Sequence, residues 1–294
     1  MSECFATYAA GEGDWTFNYL LAKSLREFGG AMSALPILLL HASDLPADAA
    51  RERFRALNVE LAPFPRDRRG ARYAFKPAAA SACEREVGSG AVYWLDRHMI
   101  ALGEPSGLRL PDPARFLYHP PHVSESGSPL AEPLGGAWRA AARVAGVSEA
   151  ALFPMETMAD GRAIRACFSA GHFAFRAEAG VMRSWDALFR ELLINAEIGP
   201  FLSEGWIRTY LHQIALTLAA LRELPREGIA RLPKPYGYPA HLHAKIAGRG
   251  EAGEPPRAIT AYYRGAAAGV PRAVAPDGFA AWLRGAVEGF RGEG

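Results

Sequence analysis

Four short apolar runs separated by stretches of helical periodicity constrain the fold of this chain more than any other feature. The runs cover residues 4–9, 35–41, 59–62 and 91–95. Between the first two, Phe17, Leu20, Leu21, Leu25 and Phe28 recur at helical spacing and Gly29-Gly30 ends the pattern. Ser43-Asp44 and Pro46 open a second helix that reaches about residue 57, and residues 73–87 read as a third. Strands apolar on both faces are covered on both sides, and strand–helix alternation joins them in parallel. The expectation is an α/β protein with a largely parallel central sheet and helices on both faces. With 294 residues, half of them hydrophobic, the chain can bury a core of that size.

The second half is less regular. Residues 109–133 are rich in Pro, Ser and His and read as a long surface excursion. Helices are expected over 135–144, from Ser184 as N-cap with Trp185, Leu188, Phe189, Leu192 and Leu193 on one face, over 206–221, and over 279–287. Strands are expected over 168–175 and 258–263. There are no internal repeats and no low-complexity tract.

Composition narrows the partners. A net charge of +2, from 33 basic and 31 acidic residues, gives no whole-molecule case for nucleic acid. Lysine stands only at positions 23, 76, 234 and 245, and the arginine excess reads as coding bias. Cys4, Cys83 and Cys167 are scattered without metal or disulfide spacing, which fits a reducing cytoplasm. The N-terminus has no basic region followed by an apolar one, and no apolar run approaches the roughly 20 residues of a membrane helix.

Several motifs bear on chemistry. Gly11-Glu12-Gly13 lies where a dinucleotide fingerprint would, but Thr16 stands in place of the third glycine, so a plain tight turn is expected. That turn still opens a helix N-terminus at the sheet edge, a place for an anion. Residues 66–70, Arg-Asp-Arg-Arg-Gly, read as a solvated basic loop, with a diphosphate contact as the alternative. No nucleophile elbow, P-loop or His-Glu-x-x-His is present. His241 and His243 would share one face of an extended strand and could meet one metal. Most informative is the stretch from Ala91 to Leu108, in which an apolar strand runs into Asp96-Arg97-His98, a second apolar segment and a Gly-x-Pro turn. An acid at the carboxyl end of an inner strand lies where open α/β sheets bind ligands.

That stretch resembles the Asp-x-Asp element of GT-A glycosyltransferases, the nucleotide-diphospho-sugar transferases, especially family 8, with Asp96 at the first acid. Phe75-Lys76-Pro77 resembles the lysine segment before the motif, and Ser169-Ala170-Gly171-His172-Phe173 resembles the Asn-Ala-Gly segment on the acceptor side. Trp185 stands at the Trp of the next helix, His212-Gln213-Ile214-Ala215-Leu216 resembles the Asp-Gln-x-x-Leu helix, and Pro235-Tyr236-Gly237-Tyr238-Pro239 resembles the Tyr-Asn turn. The features span about residues 4–265 in the family's order. The resemblance implies one GT-A-like domain over 1–294, with a nucleotide-binding half at about 4–110, an acceptor-side half at 111–265 and a tail at 266–294.

It also implies a sugar transferred from a nucleotide-diphosphate donor to an acceptor. Asp96, His212 and Gln213 are the implied catalytic residues. Thr7, Tyr8, Lys76, Asp96, Arg97, Gly171 and His172 are the implied donor contacts. The pattern departs at His98 for the second acid, Ala261 for the third ligand, Ser169 for Asn and His212 for Asp. A metal such as Mn²⁺ would then be held by Asp96, His98 and His243, with His241 as the alternative third ligand, since imidazoles suit Mn²⁺ better than Mg²⁺. Without a metal, Lys76, Arg97, Lys245 or Arg264 would neutralise the leaving group. Two other classes stay open: a binding protein that keeps the fold without turnover, and a metal-dependent hydrolase built on His241 and His243.

Overall fold

The computed structural model describes residues 2–42, 45, 48–65, 73–249, 258–262 and 274–291. Its first half follows the apolar runs: β1 (Glu3–Ala9), α1 (Asp14–Phe28), β2 (Ile37–His41), α2 (Asp48–Ala56), β3 (Val59–Pro63), α3 (Phe75–Val87) and β4 (Ala91–Leu95). Next come β5 (Met99–Ala101), β6 (Phe116–Tyr118), α4 (Gly136–Ala145), β7 (Pro154–Glu156), β8 (Ala163–Arg165) and β9 (His172–Arg176). The chain then forms α5 (Val181–Ile194), α6 (Gly205–Glu223), β10 (Ile229–Arg231), β11 (Tyr238–Pro239), α7 (His243–Ala247), β12 (Thr260–Tyr262) and α8 (Phe279–Arg291).

The central sheet has seven strands in the order β10-β6-β9-β4-β1-β2-β3. β1 is parallel to β2 and β4, β2 to β3 and β10 to β6, while β9 runs antiparallel to β4 and β6. Strand side chains alternate between two cores. Cys4, Ala6, Tyr8, Val92 and Trp94 join residues of α3, α4, α5 and α6 on one face. Phe5, Ala9, Tyr93 and Leu95 join residues of α1 and α2 on the other. Strand order reverses at β1, because β2 lies on one side of it and β4 on the other. The carboxyl ends of β1 and β4 therefore flank a switch point, where open sheets of this kind bind ligands. A small sheet, β11-β12-β5, packs beside them.

Three sequence expectations are corrected. Residues 109–133 are not a surface excursion, since β6 sits within the central sheet between β10 and β9 and Phe116, Leu117 and His119 are buried. A three-residue run among prolines is too short to read as a strand, and its partners come from distant sequence. The run before β9 is buried but not a strand: Phe168 N–H donates to Thr217 Oγ1 at 2.8 Å and Ser169 N–H to the His119 carbonyl at 2.8 Å. Ser184 is not the cap of α5, which starts at Val181. The buried Glu84 carboxylate of α3 instead accepts from the Met182 and Arg183 amides, each at 3.0 Å, and so satisfies orphan donors from another helix. Among the described residues no helix is long and apolar enough to cross a membrane.

Candidate active site

The site begins where β4 ends. Asp96 N–H donates to the Gly171 carbonyl at 2.8 Å, which ties the end of β4 to the approach of β9. The Asp96 side chain is buried. Its Oδ2 lies 2.6 Å from Lys76 Nζ, in the first turn of α3, and its Oδ1 accepts from the His98 amide at 3.1 Å. Burial alone would raise this carboxyl group. The charges of Lys76 and Arg97, with the hydrogen bond from Lys76, outweigh it and hold the pKa at about 2, so Asp96 is ionised.

The neighbouring charges are also committed. Arg97 Nε lies 2.7 Å from Asp14 Oδ1, and its guanidinium donates to the Tyr8 hydroxyl. Asp14 Oδ2 in turn accepts from the amides of Ala10 at 2.7 Å and Gly11 at 3.1 Å. The turn after β1, expected as a place for an anion, is thus filled by the chain's own carboxylate. Tyr8 is buried and stacks on Trp94 at 5.9 Å. Thr7 faces α1 and donates to Asn18 Oδ1 at 2.9 Å.

Beside this network opens a cleft of about 390 Å³. Lys76 stands on its wall, Gly171 and His172 are on its floor, and His212 and Gln213 reach it from α6. His241 and Lys245, also singled out in the sequence, line it as well, so these seven residues meet in this cleft. Thr7, Tyr8, Asp96, Arg97, His98 and His243 do not line it, and Asp96 lies beneath Lys76. Arg264 and the basic turn at 66–70 fall outside the described residues. Gln213 is held to the floor through Thr217, whose hydroxyl donates to the Gln213 carbonyl at 2.8 Å while accepting from Phe168 N–H.

Five of the eight histidines line the cleft: His119, His122, His172, His212 and His241. His119 and His122 escape a reading of the sequence. The only local signal is His-Pro-Pro-His directly after the apolar triplet of β6. The His119 and His172 rings stack at 5.9 Å and 19°. His119 Nε2 lies 2.9 Å from the Tyr236 carbonyl, which only accepts, so that nitrogen carries the proton. Neither ring nitrogen of His172 has a hydrogen-bond partner among the described residues. Burial lowers both histidines to about 3, so both are neutral at physiological pH. Gly237, at φ 64°, closes over them; a Cβ there would lie 2.5 Å from His119 Nε2 and 3.0 Å from His172 Nδ1.

Tyr73 lies at the head of α3 on the same cleft. It has φ 64°, an uncommon conformation for a residue with a side chain. Its ring packs on His212 at 4.8 Å, and Lys76 Nζ lies 5.5 Å from the ring centre.

The metal set Asp96, His98 and His243 is not assembled. The His98 ring packs against Phe17 at 4.8 Å and Tyr262 at 6.0 Å, and burial lowers its pKa. His243 Nδ1 is 2.7 Å from the Tyr238 hydroxyl. Among the described residues no three His, Cys, Asp or Glu side chains are grouped to hold a metal ion. The expected strand at His241 and His243 is corrected too. His241 lies in a 3₁₀ turn and His243 begins α7, so the two rings do not share a strand face. Pro239 ends β11 just before them, and the hydrolase reading loses its geometric basis.

The sequence matches the model of a family described as the Rhodobacterales glycosyltransferase domain over residues 16–223. No protein of curated function matches it. Among solved structures, the galactosyltransferase LgtC in complex with donor and acceptor sugar analogues is 12% identical with a TM-score of 0.51. That match covers 98% of this chain and 95% of LgtC. An active-site glutamine-to-glutamate mutant of LgtC matches over the same shares at 12% identity and a TM-score of 0.52. GlyE of Streptococcus pneumoniae TIGR4 is 12% identical with a TM-score of 0.51, over 90% of this chain and 55% of that one.

Proposed function

The chain belongs to the Rhodobacterales glycosyltransferase domain family and has the GT-A fold, and from that premise we propose that its cleft binds a nucleotide-diphosphate sugar and transfers the sugar to an acceptor. The observation that carries this reading is the meeting of Lys76, Gly171, His172, His212 and Gln213 in one cleft beside the switch point of the sheet. In the transfer the bond from the anomeric carbon to the β-phosphate oxygen breaks, and a bond to the acceptor oxygen forms. The acceptor loses a proton and the nucleoside diphosphate leaves. Negative charge grows on the departing phosphate, so a fixed cation beside it lowers the barrier. Lys76 and Lys245 both line the cleft; Lys245 is half exposed with Nζ 4.0 Å from Asp160, whereas Lys76 is buried and fixed on Asp96, so Lys76 is assigned this role. Arg97, bound to Asp14 and Tyr8, is not available for that role.

Gln213 is assigned to the transferred sugar. Its side-chain amide both donates and accepts, it lines the cleft, and LgtC is described as having a glutamine in its active site. The grouping of Asp96, His98 and His243 does not fit a divalent cation, and no step here runs through one.

A panel of UDP-, GDP-, dTDP- and CDP-sugars tests donor binding by thermal shift. A saturating donor stabilises by about 2.7 kcal/mol at one hundred times its Kd. The donor reading fails if no member of the panel raises the melting temperature. The Gln213→Ala variant is expected to keep the shift and lose release of the nucleoside diphosphate. A second reading, donor binding without turnover, draws on His212 and the buried Ala261 at positions polar in the family. It predicts the shift with no release of nucleoside diphosphate over a broad acceptor panel.

A further inference from the structure

We infer that the Lys76 ammonium stands where a divalent cation would sit on Asp96, and that this chain grips its donor's diphosphate through that lysine without a metal. The inference rests on the donor reading above and concerns how the same site works.

Asp96 ends the inner strand β4 next to the switch point, and its side chain is aimed at the cleft wall. Its Oδ2 is 2.6 Å from Lys76 Nζ, and Lys76 itself lines the cleft. The other oxygen takes the His98 amide. A metal on this carboxylate would have to displace a buried ammonium, and two cations would then share one negative charge. An isolated ammonium driven from such a partner carries a large desolvation cost.

Charge balance points the same way. Two carboxylates and one divalent cation sum to zero, and so do one carboxylate and one ammonium. The position two residues after Asp96 is a histidine where the family's second acid would stand, so Asp96 is the one carboxylate of the motif and Lys76 balances it. The His98 ring packs against Phe17 and Tyr262. An ammonium has three N–H donors. Asp96 holds Lys76 in place with one of them, and the others are left for phosphate oxygens in the cleft. Lys76 also lies in the first turn of a 13-residue helix, whose dipole favours an anion at that end.

The test uses the full chain and two titrations by calorimetry. In the first, Mn²⁺ is added alone; the expected result is no binding that Asp96→Asn removes. In the second, UDP, GDP, dTDP and CDP are added in EDTA or in Mn²⁺. The nucleotide that binds is expected to do so equally in both. Lys76→Met should weaken it roughly 10- to 100-fold, the loss of one hydrogen bond to a charged group, and Lys76→Arg should retain part of the affinity. Because Lys76→Met leaves Asp96 buried without a partner, the Lys76→Met/Asp96→Asn pair, which buries no charge, is measured beside it and should show the same loss. Mn²⁺ binding lost in Asp96→Asn, nucleotide binding that requires Mn²⁺, or full affinity in the double variant would each overturn the role of Lys76 and leave the donor reading standing. No binding by any of the four nucleotides, with or without Mn²⁺, would overturn the donor reading and the lysine inference together.

Discussion

The two walls of the cleft satisfy their polar groups in opposite ways. On the β1–β4 side the charged groups at the strand ends are paired within the protein: Lys76 with Asp96, and Arg97 with Asp14 and Tyr8. On the β6–β9 side the buried groups are imidazoles that stay neutral, and His172 has no hydrogen-bond partner among the described residues. A buried ion without a partner is too costly to keep, whereas a neutral imidazole can wait for a ligand at smaller cost. The strand-end motif has thus become mostly internal bracing, with Lys76 as its outlet to the cleft.

The largest expected effect breaks the paired wall. Asp96→Leu strands the Lys76 ammonium and is expected to cost about 3–5 kcal/mol, read from urea unfolding midpoints. A loss under about 1 kcal/mol, the worth of a solvent-exposed pair, would show in a folded variant that the contrast is false. On the other wall, Gly237→Val places a side chain at positive φ and into both imidazoles. The backbone alone adds roughly 1–2 kcal/mol, and displacement of His119 and His172 should abolish the thermal shift by donor. A variant as stable and as responsive as the parent would mean the histidine wall is not held by this close approach.

The pH dependence sharpens the comparison. His119 and His172 are lowered to about 3 in the folded chain, while imidazoles in the unfolded chain titrate near 6.5. Between those values the unfolded state binds more protons, so stability falls as pH falls, by up to about 1.4 kcal/mol per pH unit for each ring. Asp96, lowered to about 2, keeps its contribution until the pH drops below the ordinary carboxylate range. Acid sensitivity should therefore begin near pH 6.5 with the histidine wall and reach the paired wall only below about pH 4. His172→Phe should flatten the upper part of the curve, and an unchanged slope would count against burial as the cause. The smallest effect belongs to His243→Ala, which removes one hydrogen bond with Tyr238. It is expected to cost about 1 kcal/mol with no change in donor binding, since that ring does not line the cleft.

Most of the first half is legible in the amino-acid sequence. Continuous apolar runs and 3.6-residue periodicity are local properties, and β1 to β4 with α1 and α3 fall within a few residues of where those patterns end. Lys76, Gly171, His172, His212 and Gln213 can be placed by their order along the chain, and they do meet in one cleft. What each side chain pairs with is not legible, because that depends on neighbours far apart in sequence. His119 meets the Tyr236 carbonyl across 117 residues, and the α5 amides meet Glu84 across 98 and 99. The Asp96-Arg97-His98 motif reads from sequence as two metal ligands flanking a donor contact. In the fold, Asp96 turns to Lys76, Arg97 to Asp14 and His98 to Phe17. By itself, the sequence determined a parallel sheet with an acid at the end of its inner strand, since short-range pattern and burial suffice for that. Only the tertiary structure decided that this acid would hold a lysine and that five histidines would share one cleft, because the partner of a buried charge or ring is whichever group the packed chain brings alongside.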